Sequence, residues 1–80
     1  MGKIILYSIP NCPQCSTVKS LFKMNNVIYE EVMNIDLMKS KGFMSAPMLE
    51  VNNQPMCYEE ILDWVKHKYN YVEVNNNESN

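Results

Sequence analysis

The first 33 residues follow a strand–helix–strand pattern, and this pattern restricts the folds open to the chain more than any other feature. Residues 3–8, KIILYS, are short and almost continuously apolar, which is typical of a buried strand. Pro13 stands at a favourable first helical position, and apolar residues follow at helical spacing: Cys15, Val18, Leu21 and Phe22. Asn25-Asn26 predicts the helix end, and residues 28–33 predict a second strand. A β-α-β unit of about 30 residues implies two parallel strands with a right-handed crossover.

The rest of the chain predicts a short helical link, a hairpin and a closing helix. Residues 35–43 hold one or two helical turns that stop at Gly42, and residues 46–51 alternate like a third strand. Residues 52–53, Asn-Asn, favour a tight turn before a short strand, QPM, which Pro55 marks as an edge. An apolar stripe marks the closing helix: Tyr58, Ile61, Leu62, Val65 and Tyr69. The predicted fold is α/β (α+β), a four-stranded mixed sheet with helices on its faces and a short second helix.

Length and composition limit the class of protein. Eighty residues suffice for one small domain, which we assign to residues 1–70, and the polar, Asn-rich residues 71–80 predict a partly disordered tail. A net charge of −2 without a basic stripe argues against a nucleic-acid surface. No segment approaches the roughly 20 apolar residues that span a bilayer, and the N-terminal residues do not resemble a signal peptide. We therefore expect a cytoplasmic protein with reduced thiols, and we expect it to be a monomer.

Two cysteines, Cys12 and Cys15, stand where the first strand meets the first helix, in the motif CPQC. A structural zinc site needs about four ligands, and the remaining candidates, Cys57 and His67, do not form a second closely spaced pair. An inert pair would suit Cys15, which lies on the apolar stripe, but not Cys12, which lies outside it. Cys57 itself is expected to be a buried residue at the start of the last helix. A C-x-x-C motif beside a β-α-β unit in a cytosolic protein instead indicates redox chemistry, with no metal.

The position of Cys12 gives a physical reason for that interpretation. As the residue ahead of Pro13, Cys12 would cap the helix, near the free backbone N–H groups of Gln14 and Cys15 and the positive end of the helix dipole. Both favour a thiolate, so we expect the pKa of the Cys12 thiol to lie below about 8.5. Cys15 follows nearly one turn later and can reach back to close a disulfide. We therefore expect Cys12 to be the nucleophile and Cys15 the resolving residue.

Three stretches resemble the glutaredoxin family, which has a thioredoxin-like fold. They are YSIPNCPQCSTVKSLFKMNNVIYEEV at residues 7–32, SAPMLEV at 45–51, and MCYEEILDWV at 56–65. The likeness covers about residues 3–68 and depends most on the CPQC motif and on Ala46-Pro47. It implies that the Ala46-Pro47 peptide bond is cis and that Pro47 faces the cysteines. It also implies a set of substrate-binding residues: Pro13, Gln14, Ala46, Pro47, Tyr58 and Glu59.

The chain departs from the glutaredoxin pattern at two places that concern glutathione. Members that use glutathione usually carry a basic residue three positions before the first cysteine, where this chain has Ile9, and a Gly-Gly pair before the last helix, where it has Met56 and Cys57. Glu59 falls near the acidic position that would meet the amino group of glutathione. Three lysines are candidates to replace the missing cation: Lys19, Lys39 and Lys41.

The resemblance implies a thiol–disulfide oxidoreductase that reduces protein disulfides and requires no organic cofactor. Gln14 within the motif is similar to the glutaredoxin-like hydrogen donors of ribonucleotide reductase, which take their electrons from thioredoxin reductase. The electron donor could therefore be glutathione or a reductase of the thioredoxin reductase type, and ribonucleotide reductase is a candidate substrate. The alternative is a non-enzymatic thiol- or metal-binding module, above all an iron–sulfur carrier in which Cys12 ligates a cluster shared between two chains.

Overall fold

The computed structural model describes residues 2–69, which form strands and helices in the order β-α-β-α-β-β-α. The strands are β1 (Ile4–Tyr7), β2 (Glu30–Val32), β3 (Met48–Val51) and β4 (Gln54–Met56). The helices are α1 (Pro13–Met24), α2 (Ile35–Ser40) and α3 (Tyr58–Tyr69). Every predicted element is present in the predicted order. The predicted tail, residues 71–80, lies outside the described residues.

The four strands form one mixed sheet in the order β2-β1-β3-β4. β1 runs parallel to β2, as the β-α-β pattern predicts, and antiparallel to β3, which pairs antiparallel with β4. Asn52 and Asn53 both have positive φ angles, 53° and 67°, so the β3–β4 turn has the twist that two-residue hairpins prefer. Pro55 lies on β4 at the edge of the sheet, where its missing N–H leaves no ladder bond unmade.

Three strands are shorter than the sequence predicts. Residues 28–33 were expected to form a strand, but β2 pairs only at residues 30–32, opposite Ile5–Tyr7, and the side chain of Ile28 is 87% exposed. β3 begins at Met48 rather than at residue 46, since Pro47 has no N–H to give to a ladder. β1 likewise ends one residue short of the predicted limits on each side. In β2 and β3 the apolar pattern extends beyond the backbone that pairs within the sheet.

Both predicted helix stops have the same geometry. At the end of α1, Asn26 has φ 57°, and the backbone N–H of Val27 donates to the carbonyl of Phe22 at 2.9 Å. At the end of α2, Gly42 has φ 79°, and the N–H of Phe43 donates to the carbonyl of Met38 at 2.9 Å. This is the Schellman arrangement, in which a left-handed residue turns the chain back to satisfy the last carbonyls. The two helix ends place hydrophobic residues on opposite faces of the sheet, Val27 in the main core and Phe43 against Tyr7.

The core lies between one face of the sheet and helices α1 and α3. It consists of seven buried residues, Leu6, Val18, Phe22, Val27, Leu49, Ile61 and Val65. Trp64, which the predicted stripe on α3 omits, packs edge-on against Phe22 with ring centroids 6.2 Å apart. Tyr7 alternates with Leu6 and faces the other side, where its ring meets Phe43 at a centroid distance of 5.3 Å. None of the helices within residues 2–69 has the length and apolar character needed to cross a bilayer.

Candidate active site

The turn between β1 and α1 brings the first cysteine to the start of a helix. Asn11, with φ 57°, bends the chain after β1, and Cys12 follows in an extended conformation as the N-cap of α1. Pro13 occupies the first helical position, as predicted. The backbone N–H of Cys15 donates a hydrogen bond to Cys12 Sγ at 3.1 Å. The sulfur therefore occupies the place of the side-chain oxygen that usually caps a helix.

The two cysteines are joined as a disulfide, with their Cα atoms 5.2 Å apart. Cys15 is buried on the core side of α1, with 1% of its surface exposed, whereas Cys12 is half-buried and stands nearer to solvent. The difference in exposure follows from the helix itself, because Cys15 belongs to the apolar stripe and Cys12 precedes it. An incoming disulfide can therefore reach the sulfur of Cys12 more readily than that of Cys15.

The segment before β3 lies against the cysteine pair. The Ala46-Pro47 peptide bond is cis, as the glutaredoxin resemblance implies. The carbonyl oxygen of Ala46 is 4.0 Å from Cys12 Sγ, although the two residues are 34 positions apart in sequence. Pro47 is fully buried, and Ala46 is half-buried. The antiparallel pairing of β1 and β3 explains this contact. Tyr7 at the end of β1 lies opposite Met48 at the start of β3, so the segments that follow β1 and precede β3 meet at the same end of the sheet.

The other predicted site residues divide into two groups. Pro13 and Gln14 are exposed in the first turn of α1, next to Cys12. Tyr58 and Glu59 begin α3, where Tyr58 is half-buried against the core and Glu59 is exposed. The carboxylate of Glu59 accepts a hydrogen bond from the Cys57 thiol at 3.6 Å, so Glu59 contacts the third cysteine rather than the pair.

The expectation that Cys57 is buried is wrong, because this residue is half-buried. It lies directly before α3, its backbone N–H donates to Glu60 Oε1 at 2.9 Å, and its carbonyl accepts from Ile61. A residue at a helix start belongs to the surface of this small fold, so its side chain keeps contact with solvent. Within residues 2–69, no three His, Cys, Asp or Glu side chains come together in a way that could hold a metal ion.

One of the three candidate lysines, Lys19, is bound in a cluster beside the strand ends. Glu31 accepts hydrogen bonds from Ser8 Oγ at 2.7 Å and from Lys19 Nζ at 3.1 Å. Ser8 is fully buried, so its hydroxyl needs this partner. The hydrogen bond from Ser8, and then that from Lys19, lowers the pKa of Glu31. The sequence analysis missed Ser8 and Glu31, because no local motif shows that the two strand ends meet.

Lys41 belongs to a second cluster, on the face of the sheet opposite the main core. The carboxylate of Glu50, which is 8% exposed, accepts from Tyr7 Oη at 2.8 Å and from Lys41 Nζ at 3.2 Å. The ammonium of Lys41 also lies 5.9 Å from the centroid of the Tyr7 ring. Burial, and then the bond to Glu50, raises the pKa of Tyr7 to about 12. Lys41 therefore neutralises a buried carboxylate, a role that the sequence analysis did not foresee.

Lys39, in contrast, lines a pocket beside the cysteine pair. The pocket has a volume of about 210 Å³ and is lined by Ile9, Ile35, Met38, Lys39, Phe43, Met44, Ser45 and Ala46. Ile9 thus lines this pocket, at the position where glutathione-using members of the family usually carry a basic residue. The sequence analysis identified this substitution but not the pocket, which forms only when α2 folds beside the turn after β1.

The sequence matches the family model for glutaredoxin over residues 4–56, a region that includes both cysteines of the CPQC motif and Pro47. The chain belongs to the glutaredoxin family. Glutaredoxin 1 of Rickettsia prowazekii (strain Madrid E) is 34% identical over 59 residues, and the match covers 62% of this chain and 62% of that protein. The chain therefore spans less than two thirds of this curated relative.

Solved structures of similar shape agree with a thioredoxin-like fold. Glutaredoxin 1 from Francisella tularensis, in complex with cacodylate, superposes with a TM-score of 0.69 at 17% identity, over 89% of this chain and 100% of the other. A Nu-class GST from Haemonchus contortus superposes with a TM-score of 0.70 at 19% identity, over 89% of this chain and 38% of that chain. A thioredoxin-like protein superposes with a TM-score of 0.59 at 30% identity, over 69% of this chain and 84% of the other.

Proposed function

We propose that this glutaredoxin-family protein is a thiol–disulfide oxidoreductase that reduces disulfides of other proteins. The observation that carries the proposal is the 3.1 Å hydrogen bond from the Cys15 N–H to Cys12 Sγ at the start of α1, within a pair close enough to form a disulfide. A donor aimed at the sulfur, together with the helix dipole, stabilises negative charge on it. Membership of a family of thiol–disulfide oxidoreductases supports the same activity.

The reaction begins from the reduced pair and proceeds by two exchanges. The Cys12 thiolate attacks one sulfur of the substrate disulfide, which forms a mixed disulfide and releases the other substrate sulfur as a thiolate. Cys15 then loses its proton and attacks Cys12 Sγ, which releases the second substrate thiolate. The substrate gains two electrons, and the protein becomes the Cys12–Cys15 disulfide. We propose that Ala46 and Pro47 hold the substrate chain beside Cys12, with Pro13 and Gln14 at the other side of the sulfur.

We propose that a reductase of the thioredoxin reductase type restores the dithiol more efficiently than glutathione does. Two of the three lysines that are candidates to replace the missing basic residue form ion pairs elsewhere, Lys19 with Glu31 and Lys41 with Glu50. Met56 and Cys57 carry side chains where the family usually has Gly-Gly. Gln14 supports the similarity to the hydrogen donors of ribonucleotide reductase, so we include that enzyme among candidate substrates, in a reducing cytoplasm.

The roles of the cysteines can be separated in variants that retain a single thiol. In a Cys57→Ser background, Cys15→Ser should leave Cys12 able to attack but unable to resolve, so mixed disulfides with protein targets should accumulate on non-reducing gels. Cys12→Ser in the same background should trap none. Trapping by the variant that keeps only Cys15 would reverse the two assignments. Cys57→Ser alone should reduce insulin disulfides at nearly the unaltered rate.

The iron–sulfur carrier differs from the oxidoreductase in a directly visible property. A cluster shared through Cys12 would give a brown protein with visible absorption after anaerobic purification. The oxidoreductase proposal predicts a colourless protein that reduces disulfides under the same conditions. A coloured protein without reductase activity would favour the carrier.

A further inference from the structure

The pocket that contains Ile9 adjoins the cysteine site. Ala46 belongs to both, because it lines the pocket and its carbonyl oxygen lies 4.0 Å from Cys12 Sγ. Ile9 connects them a second time, since it stands three residues before Cys12 on the same turn. A polypeptide whose disulfide reaches Cys12 would therefore lie with its neighbouring side chains over this pocket.

The walls of the pocket are mainly apolar and partly unprotected. The side chain of Met44 is 95% exposed and that of Ile35 is 50% exposed, although both border the pocket. Phe43 forms a firmer wall, because its ring packs edge-on against the ring of Tyr7. Flexible methionine side chains adapt to partners of different shape. Apolar side chains that face solvent next to a reactive pair gain stability when a partner covers them.

The size of the pocket suits one side chain. Its volume of about 210 Å³ is below the roughly 300–1,000 Å³ of sites that enclose small molecules. It exceeds the roughly 150 Å³ of an apolar cavity that holds benzene, so one aromatic or branched aliphatic side chain fits.

One cation, Lys39, stands at this mainly apolar pocket. Unlike Lys19 and Lys41, Lys39 takes part in none of the ion pairs formed within residues 2–69. Its ammonium group is therefore available to a carboxylate on an occupant of the pocket. Because the exposed walls are apolar, a strongly charged occupant would leave most of the pocket surface without a matching contact.

We propose that this pocket is a substrate subsite that accepts a bulky apolar side chain flanking the target cysteine, with Lys39 selecting a nearby carboxylate. The inference rests on the proposed oxidoreductase function and names its substrate class. That class is a polypeptide disulfide in an apolar and acidic sequence, as distinct from a small charged disulfide. Ile9, Ile35, Phe43 and Met44 determine the apolar preference, and Lys39 determines the charge preference.

Single-turnover reduction of matched disulfides tests the subsite. The reduced protein is mixed with peptides whose one cysteine is joined to 2-mercaptoethanol, so each turnover oxidises one protein dithiol and releases the peptide thiol and 2-mercaptoethanol. A peptide with leucines beside the cysteine and aspartates further out should react about tenfold faster than one with serines and lysines in those places. A tenfold ratio requires only part of the free energy gained by fully burying one apolar side chain. The mixed disulfide of glutathione and 2-mercaptoethanol should react more slowly than the apolar peptide.

Variants assign the preference to the pocket through the ratio of the two peptide rates. Met44→Ser should lower the ratio at least about threefold, since it removes an exposed apolar wall. Met24→Ser, a 71% exposed methionine on α1 outside the pocket, is the matched control and should keep the ratio. Lys39→Glu should favour lysine over aspartate next to the leucines.

The outcomes separate the subsite from the activity. Equal rates with the two peptides, or a faster reaction with the glutathione disulfide, would overturn the subsite while leaving the oxidoreductase in place. An equal fall of the ratio in the Met24 and Met44 variants would also overturn it. Failure to reduce even bis(2-hydroxyethyl) disulfide would overturn the proposed function, and the subsite with it.

Discussion

The sulfur of Cys12 lies between two backbone groups with opposite effects on its charge. The N–H of Cys15, at 3.1 Å, is a donor and stabilises a thiolate. The carbonyl oxygen of Ala46, at 4.0 Å, accepts from a thiol and repels a thiolate. The shorter contact and the helix dipole act together, so the balance favours the thiolate.

The first prediction is that the reduced Cys12 thiol ionises well below an ordinary cysteine. In the Cys57→Ser protein, the rate of alkylation by iodoacetamide should rise with pH through an inflection below about 7.5, because the thiolate is the reactive form. The Cys12→Ser, Cys15→Ser variant, which retains only Cys57, provides the comparison. An inflection at or above about 8.5 for Cys12 would contradict the account of the helix start.

At the scale of elements, the buried carboxylate of Glu50 connects three segments through hydrogen bonds. It lies on β3 and accepts from Tyr7 on β1 and from Lys41 directly after α2. Burying a carboxylate is costly unless it is hydrogen-bonded and paired, and here it is both. The contact fixes the segment that leads from α2 to Ala46 and Pro47, and therefore one wall of the site. The alternation of residues 46–51 predicts that Glu50 faces away from Leu49, but only the pairing of distant strands shows what it meets.

The second prediction concerns the Tyr7–Glu50 hydrogen bond. Tyr7→Phe should lower the free energy of unfolding at neutral pH by roughly 1.5–3 kcal/mol, the usual contribution of a hydrogen bond to a charged group. The pKa of Tyr7 is raised from 10.0 to about 12 in the folded protein, so the unfolded chain loses this proton first as pH rises. The stabilisation is therefore complete below about pH 10 and is lost between about pH 10 and 12.

Urea unfolding across alkaline pH measures both effects. Tyr29→Phe is the matched control, because it removes the same hydroxyl from a half-buried tyrosine whose ring also packs edge-on against a phenylalanine, Phe22. The difference in stability between the unaltered protein and Tyr7→Phe should shrink as pH rises from about 10 to 12. A constant difference over that range would contradict the raised pKa of Tyr7, and equal stability at neutral pH would show that the hydrogen bond contributes nothing.

For the whole molecule, the sequence predicts the architecture more completely than the surface of the site. Local signals are strong at the helix stops Asn26 and Gly42, at the Asn52-Asn53 turn and in the CPQC motif, and the structure confirms each of these elements. The pocket beside Ile9 had no such signal, because its walls come from three separate segments. The partners of the lysines are likewise long-range contacts, which no local spacing reveals.

The last prediction is that glutathione is a poor electron donor for this protein. Ile9 offers no charge to the carboxylates of glutathione, Lys19 and Lys41 are paired with Glu31 and Glu50, and only Lys39 remains beside the pocket. One missing charge-assisted contact costs roughly 1.5–3 kcal/mol, or about one to two decades in affinity. Glutathione with glutathione reductase should therefore support slower insulin reduction than thioredoxin reductase with NADPH.

The reciprocal change makes the argument specific to position 9. Ile9→Lys should raise the glutathione-dependent rate by about one to two decades at low glutathione, because it restores a cation beside the sulfur. Ile28→Lys adds the same charge at an 87% exposed isoleucine that does not line the pocket, and should leave the rate unchanged. Efficient reduction by the unaltered protein, saturating at sub-millimolar glutathione, would show that Lys39 alone rebuilds the site. Equal gains in the two lysine variants would instead point to the net charge of the molecule.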